Sequence, residues 1–107
     1  QVLRKVEVTL EGRAIRNLNE LEYINGEVWA NVWMTNEIVR VDPATGNINS
    51  VIDLNGLVEQ TRTGGGDAVL NGIAWMPSEG EEGQGRLFVT GKLWADIFEI
   101  KLKLFEQ

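Results

Sequence analysis

The strongest constraint on this chain is that it repeats itself. LNELEY (18–23) aligns with LNGIAW (70–75) at an offset of 52, and EVWANVWMTNEIVRVD (27–42) aligns with RLFVTGKLWADIFEIK (86–101) at an offset of 59. The difference of seven falls where PSEGEEGQG (77–85) enlarges the second copy. A unit recurring about every 50 residues, made of short alternating segments, cannot bury its apolar face alone and needs a neighbour stacked on it. When each unit is an antiparallel meander, the architecture is a β-propeller and the unit is a blade.

The segments inside each unit read as strands. Residues 18–24 end at Asn25-Gly26, the strongest short hairpin signal. Residues 28–34 follow, and 38–41 run into Asp42-Pro43-Ala44-Thr45-Gly46. There Asp bonds its own downstream backbone, Pro presets φ and Gly supplies a positive φ. Residues 48–54 complete a four-stranded antiparallel blade over 18–54. A second blade is expected over 70–104, with 97–104 as its third strand and no fourth in the chain. Residues 6–10 alternate Val6, Val8 and Leu10 on one side, and 3–10 is expected as the outer strand of a preceding blade. The predicted class is therefore all-β: one partial propeller domain across 1–107, holding about two blades of a larger ring.

Two loops carry possible chemistry and lose it on spacing. Residues 55–69 (NGLVEQTRTGGGDAV) lack the GxxxxGK[ST] pattern of a phosphate loop and precede no helical pattern, so they read as a flexible surface connection. The three glutamates of PSEGEEGQG lack EF-hand spacing, so this stretch reads as a solvated hairpin extension.

Composition narrows the function. The chain has no His and no Cys, which removes His-based general bases, Ser-His-Asp and Cys-His nucleophiles and any Cys/His zinc site. Only carboxylates are left to hold a metal. A net charge of -6 with ten scattered Lys and Arg residues argues against a nucleic-acid surface. No apolar run reaches a membrane span, and QVLRKVEV does not read as a signal peptide.

Blade geometry then gathers the candidate site. In a propeller the inner strand of each blade lines the channel. Loops entering that strand, with loops between the second and third strands, meet at one mouth. Asn19 and Asn71 match at the start of the inner strands, and Trp33 matches Lys92 at the end of the second strands. Agreement in scaffold with a difference at one matched place points to a site. Convergent polar groups and aromatics at a mouth make a default ligand pocket. Bland readings stand beside these: Asn19 and Asn71 as turn ties, Trp33 as packing between blades. Lys92 interrupts an apolar run, where an unpaired buried ammonium would be costly. Glu20 either pairs with Lys92, faces the channel or is a rim charge. Trp29 and Trp75 read as core, Trp94 as either, and Asn31 has no place in the scheme.

LNELEY, VWANVWMTNEIVRVDPATG, VLNGIAW and RLFVTGKLW, in this order, resemble the plant and bacterial type of the glutaminyl-peptide cyclotransferase (glutaminyl cyclase) family, from Leu18 to about Leu102. The resemblance implies the C-terminal two blades of a five-bladed propeller enzyme. That enzyme cyclises the N-terminal glutamine of a peptide or protein to pyroglutamate with release of ammonia, without metal or cofactor, in an extracytoplasmic setting. Family site positions fall on Asn19, Trp33 and Lys92, with Lys92 catalytic and the others, along with Asn71 and Glu20, substrate-binding. The family's catalytic glutamate belongs to earlier blades, and Glu20 does not match it. The chain alone is accordingly expected to be inactive, with the remaining blades supplied as another chain or its open faces covered by self-association. The competing reading is a non-catalytic propeller module binding peptide or protein at the same mouth.

Overall fold

The computed structural model describes residues 1–58, 69–77 and 85–102. The three-glycine run at 64–66, most of the acidic extension (78–84) and 103–107 lie outside them. A two-stranded hairpin, β1 (Thr9–Leu10) and β2 (Arg13–Ala14), precedes two larger antiparallel sheets. The first has the order β3 (Leu18–Ile24), β4 (Glu27–Val32), β5 (Glu37–Val41), β6 (Ile48–Asp53). The second has the order β7 (Leu70–Pro77), β8 (Gly85–Gly91), β9 (Phe98–Ile100). Both are up-and-down meanders, as propeller blades are.

The turns form where the residue chemistry requires them. Asn25 and Gly26 hold φ of 49° and 87°, the paired positive values of a two-residue hairpin. In the next turn Asp42 Oδ1 accepts from Ala44 N at 2.9 Å, Asp42 O accepts from Gly46 N at 2.8 Å, and Gly46 has a φ of 82°.

The internal repeat reappears as matched register. Leu18 pairs with Val32 and Leu70 with Gly91; Leu21 pairs with Ala30 and Ile73 with Val89; both ladders are irregular between these pairs. One cross-strand ion pair is conserved in place with its charges exchanged. Arg40 binds Glu27 at 2.6 Å in the first blade, and Arg86 binds Glu99 at 3.0 Å in the second. Each guanidinium also lies 5.1 Å from a ring centroid, Trp29 in one case and Phe88 in the other. A diagonal pair across a hairpin works in either polarity, so the geometry persists although the residues do not.

Strand alternation gives the first sheet two apolar faces. Ile24, Trp29 and Ile38 point to the second sheet and are buried with its Leu70, Leu87 and Val89. Ala30, Val39 and Val41 point the other way and gather Val8, Leu18, Val28 and Ile48. A sheet apolar on both sides is what a stacked blade needs. On that second face Leu21 is 56% and Tyr23 67% exposed, although they pair with Ala30 and Val28. Ile97 is exposed on the far side of the second sheet. Both outer faces therefore present apolar side chains.

Two elements differ from their sequence-based expectation. Within 6–10 only Thr9 and Leu10 are ladder-paired, because the chain reverses at Glu11-Gly12 (φ 51° and 80°). Ile15 N then donates to Val8 O at 2.9 Å. This segment lies on the first blade: Thr9 N donates to Gly46 O at 2.9 Å, and Arg4 donates to Ala44 O at 3.1 Å and to Pro43 O. The expected structureless connection after Leu54 begins instead with one helical turn, α1 (Asn55–Val58). Asp53 Oδ1 accepts from Asn55 N at 2.9 Å, and Leu57 and Val58 pack on the inter-sheet core.

The two matched ion pairs should differ in worth. Arg40–Glu27 is partly buried, and Glu27 also accepts from Asn49 Nδ2 at 2.7 Å, whereas Arg86–Glu99 is exposed. The Arg86 hydrogen bond holds the Glu99 carboxyl below the usual carboxylate range, but solvent screens the pair. Arg40→Ala is expected to destabilise by about 1–2 kcal/mol in denaturant unfolding, and Arg86→Ala to leave the midpoint within error. Equal losses would contradict this reading of burial.

Candidate active site

β4 and β8 both end in the same tight turn. Trp33 N donates to Asn17 O and Lys92 N to Val69 O, each at 2.8 Å. Thr35 N then donates to Val32 O and Trp94 N to Gly91 O, each at 3.1 Å. Between these bonds Met34 has a φ of 72° and Leu93 a φ of 67°. A bulky residue at positive φ is uncommon. Its occurrence at the same place in both blades shows that the surrounding bonds over-determine the turn. Trp33 and Lys92 are thus presented by one backbone device, used twice.

Each turn is braced differently. In the first, Thr35 Oγ1 donates to Val32 O at 2.7 Å and accepts from Glu37 N at 3.1 Å. In the second, the Trp94 indole lies against Gly91, so close that a Cβ there would stand 2.2 Å from the ring. Trp94 in turn meets Phe98 edge-on, with centroids 6.1 Å apart. Glycine precedes Lys92 because the indole leaves room for nothing larger.

The inner strands bring the two turns together. Glu22 Oε2 on β3 accepts from Trp75 N at 3.0 Å, and Asn31 Oδ1 on β4 accepts from Gly72 N at 3.0 Å. β3 and β7 consequently run side by side in the same direction, with the Leu18 end of one beside the Leu70 end of the other. The Trp33 and Lys92 turns stand at that shared end, and so do Asn19, Glu20 and Asn71. Trp33 is 48% exposed. Lys92, Asn19 and Glu20 are exposed too, so the cost of a buried ammonium does not arise at Lys92. Asn71 is half-buried, and its Oδ1 is buried without a donor among the described residues. Glu20 forms no ion pair with Lys92: among the described residues the ion pairs are Arg40–Glu27 and Arg86–Glu99. No hydrogen bond joins Asn19, Trp33, Asn71 and Lys92 to one another there. What the two blades supply is one end carrying an indole, an ammonium and two carboxamides.

The remaining tryptophans pack. Trp29 is buried in the inter-sheet core, and Trp75 and Trp94 lie against it. A cavity of about 420 Å³ lies elsewhere, on the outer face of the first sheet, lined by Val6, Val8, Leu18, Val28, Ala30 and Val41. Its apolar wall suits a neighbouring side chain better than a charged amine. Among the described residues no cluster of three or more Asp and Glu side chains is placed to hold a metal ion. Sequence reasoning missed Asn31 and Glu22, which tie the blades together. The available signal was a carboxamide on the same strand face as Trp29, two residues on, where alternation calls for an apolar side chain.

The chain matches the family described as glutamine cyclotransferase over residues 1–102. It is 49% identical over 98 residues to a glutaminyl-peptide cyclotransferase of Arabidopsis thaliana, covering 90% of this chain and 29% of that protein. The crystal structure of Myxococcus xanthus glutaminyl cyclase superposes with a TM-score of 0.83 at 41% identity, covering 94% of this chain and 42% of that one. The chain thus spans less than half of each relative, and within that span it shares the fold of the Myxococcus enzyme. It belongs to the glutamine cyclotransferase family and forms two adjoining blades of its β-propeller.

Proposed function

We propose that these two blades form one wall of a glutaminyl-peptide cyclotransferase site, acting on peptides or proteins that begin with glutamine. The observation that carries this reading is the repeated turn, which sets Trp33 and Lys92 at matched positions of adjacent blades in a chain of this family.

In the reaction, the substrate's α-amine attacks the carbon of its own side-chain amide. The attack closes the five-membered ring as a tetrahedral oxyanion; the carbonyl then re-forms, the C–N bond to the amide nitrogen breaks, and ammonia leaves the lactam. Two needs follow: donors where negative charge develops on oxygen, and a group that takes the α-amine proton and returns one to the departing nitrogen. Lys92 brings a cationic donor and Asn19 a neutral one, both exposed at the shared end. Asn71 brings a carboxamide at the same end, its oxygen without a donor among the described residues. The Trp33 indole supplies an apolar wall for the glutamine methylenes and excludes water. Glu20 is a negative group at the same rim, suited to attracting the ammonium form of the substrate terminus. The proton-transferring carboxylate is assigned to the blades outside this chain. These two blades therefore bind and stabilise, and the chain alone does not turn over.

Two measurements on the complete propeller follow. Ammonia release from a glutamine-initiated peptide should fall by about 100-fold or more in kcat/KM for Lys92→Ala, the usual cost of a lost oxyanion donor; unchanged turnover would overturn the role. Gly91→Ala drives a Cβ into the Trp94 ring and should cost about 1–3 kcal/mol of stability, read by denaturant unfolding, with loss of turnover as the Lys92 turn shifts. Wild-type stability in that variant would contradict the bracing of the turn.

A further inference from the structure

We propose that Asn31 is a positioning residue that fixes the Lys92 turn of one blade against the Trp33 turn of the other. Its kinetic readout rests on the cyclotransferase reading; its structural readout does not.

Asn31 is fully buried, with a relative exposure of 0%, one residue before the end of β4. A buried carboxamide is costly unless hydrogen-bonded; Asn31 spends its oxygen on the other blade, at Gly72 N, 3.0 Å away, while its Nδ2 is buried with no acceptor among the described residues. The matched position in the second blade is Thr90, which turns inward to its own loop and donates to Asp96 O at 2.7 Å. The carboxamide is therefore not demanded by the blade repeat. It belongs to the junction.

The atom it holds is a strategic one. Gly72 lies in the ladder irregularity between Leu70 and Ile73, with a φ of 140°, and a Cβ there would press on Thr90 Cγ2 at 3.0 Å. Asn71, one residue earlier, carries the buried unpaired Oδ1. Three residues before Gly72 is Val69, whose carbonyl anchors Lys92 N. On the other side, Trp33 follows Asn31 by two residues, just past the end of β4. Each turn is thus tied within its own sheet, and one carboxamide links the sheets just behind both. Among the described residues the comparable tie is Glu22 to Trp75 N, farther along the strands from the turns. Loss of the Asn31 bond would leave the half-buried Gly72 amide unpaired and would free the start of β7, shifting Lys92 and Asn71 relative to Trp33.

The test compares Asn31→Ala with Glu22→Ala in the complete propeller protein. Ammonia release from a glutamine-initiated peptide, thermal midpoint and amide hydrogen exchange are measured for each. Asn31→Ala should lower kcat/KM by on the order of 10- to 100-fold, the scale of a misplaced reacting group. It should also speed exchange at Gly72 and Lys92 by about 10-fold or more. Glu22→Ala should lower the midpoint while kcat/KM stays within about two-fold. Equal kinetic losses in the two variants, or a kcat/KM unchanged in Asn31→Ala, would overturn the proposal. If the wild-type protein releases no ammonia, the cyclotransferase reading fails, and the exchange result alone decides: unchanged protection at Lys92 in Asn31→Ala refutes the positioning role. Should Asn31→Ala not fold, Asn31→Ser, too short to reach Gly72, carries the same readouts.

Discussion

Everything at the candidate site depends on the seam between the two sheets. Ile24, Trp29 and Ile38 on one side and Leu70, Leu87 and Val89 on the other exclude water from it. Burial of this kind is non-directional; it holds the sheets together without fixing how far one slides along the other. Direction comes from two side-chain-to-backbone bonds, Asn31 to Gly72 and Glu22 to Trp75. In a dry seam an unmade bond is expensive: the Glu22 contact stabilises the strands farther from the turns, whereas the Asn31 contact sets the register at the end that carries them. The turns bearing Trp33 and Lys92 inherit that register.

Repetition lets a small chain build such a site. The same ladder pairs, the same irregularity at the start of the inner strand and the same left-handed residue in the turn occur twice. A scaffold that repeats places any two matched residues at equivalent points, so changing one side chain diversifies the mouth without altering the backbone. Trp33 against Lys92 is such a change. Arg40–Glu27 against Arg86–Glu99 is the contrasting case, where the residues exchange and the interaction stays. The first alters chemistry and the second preserves packing.

Much of this was legible in the sequence, and the limits have physical causes. The repeat, the blade class and the Asn25-Gly26 and Asp42–Gly46 turns were readable because each rests on local chemistry or on a fixed period. The burial of Trp29 was readable from its neighbours. The hairpin at Glu11-Gly12 was not, because its reversal uses a glutamate at positive φ, which no propensity favours. Lys92 looked like a burial problem in one dimension, yet a turn carries it into solvent. Asn31 stayed unexplained since its partner lies 41 residues away and is a backbone amide, which leaves no mark in the side-chain pattern. Contacts between blades are invisible to a reading that proceeds one blade at a time.

The central claim is that the shared end of these two blades holds the glutamine terminus of a substrate. A crystal structure of the complete propeller with a non-cyclisable glutamine-initiated peptide analogue tests it most directly. The Lys92 ammonium should lie within hydrogen-bond distance of a substrate oxygen, with the Trp33 indole against the glutamine methylenes. An analogue bound elsewhere, with Lys92 and Trp33 untouched, would contradict it.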